Sequence, residues 1–481
     1  MSTAEKKAIA HVVDVLGNVI GRDQPIMRLE KAHDMISLFD SILFKSNEYV
    51  FFDPFCKAGE ILFSTAFRAC KEIGNSEKRL MNVDEVFNEV FKSNKYFALA
   101  PDERHHRLSL RTFLGNTHSH NDEFNKIIKN GNYVSEIDGT LNQELFRQEI
   151  NSMIEFIKKS SGDKKIIAVG NPPYQEEDGG AQKSAKPIYH WFVEQLIETP
   201  EISEILLVIP ARWFAGGKGL DKFRQSMIDS GNIKKIKHFE KSGDVFPTVD
   251  IDGGICYLNW DRSHNGNPLF ITDRDEKVID LSLYDIIPDD PGAHDILETI
   301  RDKWDGLYIS EMAWARKPFG LATNYFTQNS SAKSGIKCLG RNKTVSFIRK
   351  SDIPQKSEYI NHWKVCIPGA YGGKKGQRRK TLPAKAIFLV EPGTIVTETY
   401  MVIDVFSNKK EAENLISLLS TDFSRYLLGL RKITQHIPRE RWAFVPYLDA
   451  NEAWDDEKIN KFFGFSAEQV KHIQRKVKEW A

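Results

Sequence analysis

The sequence predicts an α/β fold, in which a Rossmann-like sheet with helices on both faces is followed by a C-terminal domain of mixed α+β structure. Residues 166–169 form a short apolar run that is rich in β-branched side chains, which is typical of a buried parallel strand. Residues 48–52 form a second such run. A tight loop and the apolar helical pattern of residues 61–67 follow it, as in the first β-α unit of a doubly wound sheet.

Further elements of this sheet are predicted in chain order. Residues 96–100 indicate a strand, residues 184–192 open a helix, residues 204–214 read as a strand with its loop, and residues 249–258 contain a later strand. A helix is also expected near Phe223. The predicted strands alternate with helices, which is the pattern of a mainly parallel sheet.

The chain is long enough for two or three domains, with 481 residues of which 41% are hydrophobic and 28% are charged. We assign residues 1–265 to the first domain, 266–299 to a linker, 300–450 to a second domain and 451–481 to a helical tail. Asn, Gly and Pro cluster at residues 265–268, and an acidic Pro-containing stretch at 288–292 marks the same boundary. In the second domain, residues 386–390 and 394–397 resemble strands, and residues 409–430 have helical spacing.

The tetrapeptide Asn171-Pro172-Pro173-Tyr174 follows the strand at residues 166–169 and carries a chemical signal. An exocyclic amino group of a nucleobase is a poor nucleophile because its lone pair is delocalised into the ring. The Asn171 side-chain oxygen and the Pro172 carbonyl could accept its two hydrogens, and the two prolines stiffen the loop in advance. Tyr174 offers a flat face to an unstacked base. The motif therefore predicts methyl transfer to an amino group, with these four residues as the catalytic loop.

A second motif follows the strand at residues 48–52. It consists of Asp53, Pro54, Phe55, Cys56, Lys57, Ala58, Gly59 and Glu60. A loop of this kind offers backbone amides and a helix N-terminus to an anionic part of a ligand.

Together the two motifs resemble the S-adenosylmethionine-dependent DNA amino-methyltransferases of restriction-modification systems, whose cofactor loop is Asp-Pro-Phe-Cys-Gly-Ser-Gly or a close variant. The cofactor loop precedes the catalytic loop and a long specificity region follows both, which is similar to the γ arrangement of the adenine enzymes. The resemblance spans most of residues 20–265. It implies S-adenosylmethionine as the methyl donor, held through residues 53–59. It also implies the 6-amino group of a flipped-out adenine in double-stranded DNA as the acceptor, and it admits a cognate restriction endonuclease as a partner.

Two cofactor contacts stay open at the level of sequence. Lys57 stands where the family usually has glycine, and an outward-pointing Lys57 would pair with the methionine carboxylate. The acid that grips the ribose is expected after the strand at residues 96–100, where Asp102 and Glu103 are both candidates.

Local clusters of basic residues compensate for a net charge of only +1. The predicted target-recognition domain contains a glycine-rich basic segment and a second basic patch. The predicted DNA contacts are Lys374, Lys375, Arg378, Arg379 and Lys380 in the segment, and Arg341 and Lys343 in the patch. Both groups suit phosphate contact and groove insertion.

Several alternatives remain from sequence alone. The same acceptors would serve the 4-amino group of cytosine. The tetrapeptide also occurs in enzymes that methylate a glutamine side-chain amide in translation factors, and in enzymes that modify ribosomal RNA. The long second domain favours a module that reads duplex DNA. A restriction endonuclease or a fused nuclease-methyltransferase is the rival of a different class, but the sequence has no Pro-Asp followed by Glu-X-Lys at a plausible spacing.

The remaining features favour a cytoplasmic protein. There is no stretch of about 18 apolar residues that would span a membrane, and no secretion signal is recognisable. The five cysteines are odd in number and scattered, which suits a reducing compartment and makes no zinc spacing. The histidines at 105, 106, 118 and 120 lack a third ligand at recognisable spacing, so no metal site is predicted.

Overall fold

The protein is described from a computed structural model. The described residues are 26–73, 83–114, 126–135, 140–175, 186–215, 217, 219–247, 251, 253–329, 331–332, 334–372, 380–432 and 435–481. The chain divides into two compact units, Met1–Ile287 and Pro288–Ala481. Within the described ranges, no helix is both long enough and apolar enough to cross a lipid bilayer.

The described part of the first unit contains a nine-stranded sheet with the order β3-β2-β1-β4-β5-β7-β6-β8-β9. Its strands are β1 (Tyr49–Asp53), β2 (Tyr96–Ala100), β3 (Ile128–Asn130), β4 (Lys165–Gly170), β5 (Ile202–Pro210), β6 (Ile233–Phe239), β7 (Ile255–Asp261), β8 (Leu269–Ile271) and β9 (Glu276–Val278). Neighbours among the first five strands pair in parallel, whereas β7 runs antiparallel to both β5 and β6. The α/β fold predicted from the sequence is confirmed.

The direction of strand succession reverses at β1, because β2 and β3 lie on one side of it and β4 and β5 on the other. Ligands in open α/β sheets bind outside the carboxyl ends of the strands at such a switch point. The ends of β1 and β4 are therefore the expected place for the chemistry of this unit.

Helices cover the sheet and complete its hydrophobic core. They are α1 (Leu29–Ile36), α2 (Ile42–Lys45), α3 (Glu60–Ile73), α4 (Val83–Lys92), α5 (Glu103–Leu114), α6 (Gln143–Ser161), α7 (Tyr189–Glu198) and α8 (Asp221–Asp229). Helix α6 was not predicted from the sequence. It begins at an Asn142 cap whose side chain accepts the Leu145 amide and ends at Gly162, which has φ +77°.

The first unit extends further along the chain than the sequence indicated. Strands β8 and β9 fall within the interval 266–299 that was assigned to a linker, yet β8 pairs with β6 in parallel and β9 pairs with β8. Their short apolar runs belong to the sheet, so the division between the units comes only after Ile287.

The described part of the second unit contains two three-stranded sheets, β11-β10-β14 and β13-β12-β15. Their strands are β10 (Ile336–Leu339), β11 (Val345–Ile348), β12 (Trp363–Pro368), β13 (Phe388–Val390), β14 (Thr394–Val396) and β15 (Tyr400–Phe406). The helices of this unit are α9 (Ala293–Lys303), α10 (Ile309–Met312), α11 (Tyr325–Gln328), α12 (Lys409–Ser420), α13 (Asp422–Arg431), α14 (Asp456–Phe463) and α15 (Ala467–Trp480). The helical spacing at residues 409–430 thus belongs to two helices, divided where the Thr421 side chain caps α13.

Candidate active site

The two sequence motifs lie side by side at the switch point. Asp53 ends β1 and Asn171 directly follows β4, and the two strands pair in parallel with Phe52 opposite Ala168. Gly170 brings the loops into contact, since a Cβ atom at this position would lie 2.8 Å from Phe55 Cδ2 and 2.9 Å from Asp53 Oδ1. The fold therefore brings together residues that the chain separates widely.

The catalytic loop is held tightly by the surrounding structure. Asn171, Pro172 and Pro173 are buried, and Tyr174 is partly buried with its ring 6.2 Å from that of Phe246. The Tyr174 hydroxyl oxygen is buried and has no hydrogen-bond partner among the described residues. The loop thus presents rigid backbone and a polar group that still has bonding capacity.

The cofactor loop is also ordered by specific contacts. The Asp53 carboxylate accepts the Phe55 amide at 2.9 Å, and the Tyr133 hydroxyl donates to the Pro54 carbonyl at 2.6 Å. Gly59 has φ +80°, and a Cβ there would lie 2.5 Å from the Phe113 ring. Only glycine fits this turn without strain, because the backbone is left-handed and the space is filled.

Glu60 contributes to the site although sequence reasoning gave it no role. It is the first residue of α3 and is buried, and its two carboxylate oxygens accept the amides of Ala58 and Met27, each at 3.2 Å. The sequence did contain a signal for this role, because Glu60 is an acid in the first turn of a helix that follows a tight loop. The contact with Met27 could not be read from the sequence, because the two residues are joined only by the fold.

A buried cluster of charged residues lies in the cofactor loop, next to Tyr174 of the catalytic loop. Asp53, Lys57 and Glu60 are each 2% exposed, and the Lys57 Nζ lies 6.0 Å from the centre of the Tyr174 ring. Burial lowers the pKa of Lys57 to about 8, although the charges of Glu60 and Asp53 act in the opposite direction. Burial likewise raises the pKa values of the Asp53 and Glu60 carboxyl groups. Lys57 therefore points into the site rather than outward, and its ammonium has neighbouring carboxylates.

The structure also separates the two candidates for the ribose contact. Asp102 is 1% exposed, and its Oδ1 atom caps α5 by accepting the His105 amide at 2.8 Å. Its Oδ2 atom is buried and has no hydrogen-bond partner among the described residues; the Arg104 guanidinium lies 4.0 Å away. Burial would raise the pKa of Asp102, but hydrogen bonds from His105 outweigh it and lower that pKa. An ionised carboxylate with an available buried oxygen suits a sugar hydroxyl.

Glu103 lies in a different environment. It is the first residue of α5, and its side chain pairs with Arg107 at 2.7 Å and accepts a hydrogen bond from the Asn130 side-chain Nδ2 at 2.7 Å. The Arg107 hydrogen bond lowers the Glu103 pKa. Its oxygens are thus engaged at the surface, and Asp102 is the better candidate for the ribose.

The charge balance of the cluster fits S-adenosylmethionine. Three acids, Glu60, Asp53 and Asp102, act electrostatically on the single ammonium of Lys57. The cofactor carries two positive groups and one carboxylate, so it complements this set. The unpaired Asp102 oxygen adds an acceptor for a hydroxyl group. The residues present therefore fit the methyl donor that the motifs imply.

A protein-family model matches part of the chain. Residues 81–246 match the family model of the Eco57I restriction-modification methylase. The matched stretch includes Asp102 and the catalytic loop at Asn171, and it begins after the cofactor loop. Methyltransferases of this family use S-adenosylmethionine in general, in line with the charge cluster described above.

Similar proteins are known among curated sequences and solved structures. Over 121 residues the chain is 33% identical to a protein of Mycoplasma pneumoniae described as an uncharacterized adenine-specific methylase; the alignment covers 24% of this chain and 28% of that protein. The type IIL restriction-modification enzyme MmeI, solved in complex with DNA, is 12% identical, with a TM-score of 0.44 over 100% of this chain and 78% of MmeI. The EcoKI M protein, from a type I restriction enzyme, is 12% identical, with a TM-score of 0.32 over 50% of this chain and 47% of that protein.

The predicted DNA contacts of the second unit fall into three groups. Arg341 and Lys343 are exposed in the turn between β10 and β11. Lys380 is only 4% exposed, and its Nζ atom lies 2.5 Å from the Asp289 Oδ2 and 4.9 Å from the centre of the Trp480 ring. A cation engaged in this way inside the unit is not available to a phosphate, so we withdraw Lys380 from the DNA contacts. Lys374, Lys375, Arg378 and Arg379 lie outside the described residues.

Proposed function

We propose that this chain is a site-specific DNA methyltransferase. It transfers a methyl group from S-adenosylmethionine to the 6-amino group of adenine in duplex DNA, as part of a restriction-modification system. The family match at residues 81–246 and the adenine-specific description of the Mycoplasma relative support the reaction class and the base. The chain spans 28% of the length of that relative. The proposal for the activity of the whole protein therefore depends on the site described above.

One observation carries the proposal. Asn171 follows β4 and Asp53 ends β1, and these two strands are adjacent and parallel at the switch point. Gly170 packs against Asp53 with no room for a side chain. The proposed amine acceptor and an acid proposed to balance the charged methyl donor thus lie at one edge of the sheet. Proximity of this kind removes much of the entropic barrier to group transfer.

The residues have separate tasks. An adenine inside a duplex is inaccessible, so the base must leave the stack. The Asn171 side-chain oxygen and the Pro172 carbonyl then accept hydrogen bonds from its amino group, which returns the lone pair to the nitrogen. Tyr174 lies against the ring. The buried, proline-braced loop fixes these acceptors before the base arrives.

The cofactor residues hold the donor. Lys57 is buried rather than directed outward, so it would pair with the methionine carboxylate of a cofactor bound inside the site. Asp53 and Glu60 balance the positive groups, and Asp102 accepts from the ribose. When bound, S-adenosylmethionine supplies a methyl group on a sulfonium, and the transfer forms one N–C bond, breaks one S–C bond and releases the amine proton to solvent. No covalent enzyme intermediate and no general base are needed.

The test is the pattern of methylation in DNA. The wild-type chain is expressed in cells without DNA methyltransferases, and plasmid DNA is sequenced with detection of modified bases. N6-methyladenine at one sequence motif is the expected result. Methylated cytosine at its 4-amino group would instead support the cytosine alternative, and cutting of plasmid with magnesium would support the fused nuclease. Unmodified, uncut DNA would contradict the proposal.

Asn171→Ala tests the catalytic loop itself. Loss of one amine acceptor is expected to reduce methylation roughly 10²- to 10³-fold or more, by analogy with removal of an oxyanion-hole donor. DNA binding, measured by fluorescence anisotropy, should stay largely intact. Asn267→Ala is the matched control, because Asn267 is exposed in the same unit. Equal loss of methylation and DNA binding in Asn171→Ala would contradict the role assigned to Asn171.

A further inference from the structure

We infer that the tip of the β10–β11 hairpin reads base edges in the DNA, through Arg341 and Asn342, while Lys343 fixes the tip to its own unit. The inference rests on the proposed function and adds to it the residues that determine the target sequence. The sequence alone grouped the cations of this region without separating their tasks.

The turn has a well-defined backbone. Gly340 donates its amide to the Thr344 carbonyl at 2.8 Å, and Thr344 donates to the Arg341 carbonyl at 3.2 Å. Between them, Asn342 and Lys343 have φ values of 57° and 58°. With the Thr344 bond to Arg341, these two residues form a type I′ turn, whose twist matches that of a β-hairpin, and Asn tolerates the left-handed region.

Lys343 anchors the turn. Its amide donates to the Tyr400 hydroxyl at 2.9 Å, and its ammonium lies 4.2 Å from the centre of the Phe388 ring. The two rings pack edge to face with their centres 5.1 Å apart. Phe388 begins β13 and Tyr400 begins β15, and both strands pair with β12 in the other sheet. Lys343 thus ties the hairpin tip to a second sheet, which makes it a positioning residue.

Arg341 and Asn342 remain available for a ligand. Both are exposed, and the described part of the chain provides no hydrogen-bond or ion-pair partner for either side chain. Arg349, at the other end of β11, differs because it pairs with Asp352 at 2.9 Å. The tip therefore presents a guanidinium and an amide, held by a fixed backbone.

These two groups match base edges. A guanidinium binds the O6 and N7 atoms of guanine in a bidentate manner, and an amide does the same with N6 and N7 of adenine. Val345 follows them with 56% of its surface exposed and could contact a thymine methyl group. A two-stranded ribbon fits the major groove. Phosphate binding needs only a cation, so it does not explain an anchored turn that carries an uncharged amide.

The two test variants remove the proposed base-reading group, and one of them keeps the positive charge while the other keeps the backbone conformation of the turn. Arg341→Lys preserves the cation but loses the bidentate fork, and Asn342→Gly preserves the left-handed turn but loses the amide. Lys350→Ala is the control, since Lys350 is an exposed cation beyond the far end of β11. Each full-length variant is expressed as before and its methylated motif is read by sequencing. Selection of bound duplexes from a randomised pool gives the same information without the need for methylation.

We expect Arg341→Lys and Asn342→Gly each to relax the motif at one position, with discrimination there lowered about 5- to 150-fold. Lys350→Ala should keep the wild-type motif. An unchanged motif in both tip variants overturns the inference. The same holds if Arg341→Ala weakens binding equally at all sequences and lowers the salt dependence by about one counterion, because Arg341 would then contact phosphate. Absence of methylation by the wild-type chain would instead overturn the proposed function, and this inference with it.

Discussion

Lys57 gives the proposed cofactor site a property that a glycine at this position would not provide. The side chain is buried between two loops, close to the carboxylates of Asp53 and Glu60 and to the Tyr174 ring. Its pKa of about 8 lies well below the usual value for lysine because burial disfavours the ammonium. The group that is proposed to pair with the methionine carboxylate thus titrates near neutral pH.

This titration predicts a pH dependence of cofactor binding. Below pH 8 Lys57 is protonated and ready to pair with a carboxylate. Above pH 8 the free protein must first take up a proton, so the apparent affinity for S-adenosylmethionine should fall by roughly tenfold per pH unit at most. Isothermal titration calorimetry between pH 7 and pH 9 measures this fall.

Two lysine variants separate this effect from the other groups that titrate. Lys57→Met should bind the cofactor more weakly at pH 7 and lose the Lys57 part of the pH dependence. Lys222→Met, which changes an exposed lysine of the same unit, should behave like the wild-type protein. A Lys57→Met protein with wild-type affinity and pH profile would disprove the proposed ion pair.

At the scale of elements, the end of β4 determines how closely the two loops approach. Gly170 has no side chain, so the Phe55 ring and the Asp53 carboxylate occupy the space beside it. A methyl group here would have to displace the cofactor loop, because the strand itself is fixed by pairing on both sides. Strain from overpacking of this kind costs about 1–3 kcal/mol.

Gly170→Ala is therefore expected to weaken cofactor binding and methylation by about tenfold or more while the protein stays folded. Calorimetry and methyl incorporation from labelled S-adenosylmethionine measure the two effects. Gly243→Ala is the control, since nothing lies within 4 Å of the added atom and its φ is not positive. Wild-type binding by Gly170→Ala would show that the loop has room to move.

Elements with strong local signals could be predicted from sequence, and those that depend on distant partners could not. The strands β1, β2 and β4 are apolar runs with clear ends, and β1 and β4 place the two motifs at the same edge of the sheet. Helix α6 was missed although Phe146, Ile150, Met153 and Ile157 repeat at helical spacing and are buried, so the signal existed. The Tyr133 contact with Pro54 had no signal, because 79 positions separate the two residues.

At the scale of the whole molecule, a buried acid holds the second unit together. Asp290 lies 2.7 Å from the Tyr426 hydroxyl, 2.7 Å from His472 Nε2 and 3.5 Å from Lys476 Nζ. Burial alone would raise the Asp290 pKa, but the hydrogen bond from His472 and the charge of Lys476 lower it to about 2. The domain boundary predicted from the acidic stretch at residues 288–292 thus coincides with a structural centre that composition alone did not reveal.

Asp290→Ala should destabilise the second unit by about 3–5 kcal/mol, because it leaves buried partners without their acceptor. Hydrogen–deuterium exchange in α15 reports on this unit directly. Lys471→Ala, at an exposed position of the same helix, should leave exchange unchanged. In the wild-type protein the stabilisation should persist above pH 4 and disappear between about pH 4 and pH 2, since the folded pKa lies below the unfolded one. Unaltered exchange in α15 would refute this role.

The same contacts have a topological consequence. Asp290 follows the first residues of the second unit, and His472 and Lys476 belong to α15. The first segment of this unit and its helix α15 are therefore adjacent in space. Permuted versions of a domain are tolerated when the two ends meet in this way. A short peptide linker from the end of α15 to residue 288 would permit a circular permutation of the second unit, in which new ends are opened in a loop and every strand keeps its neighbours.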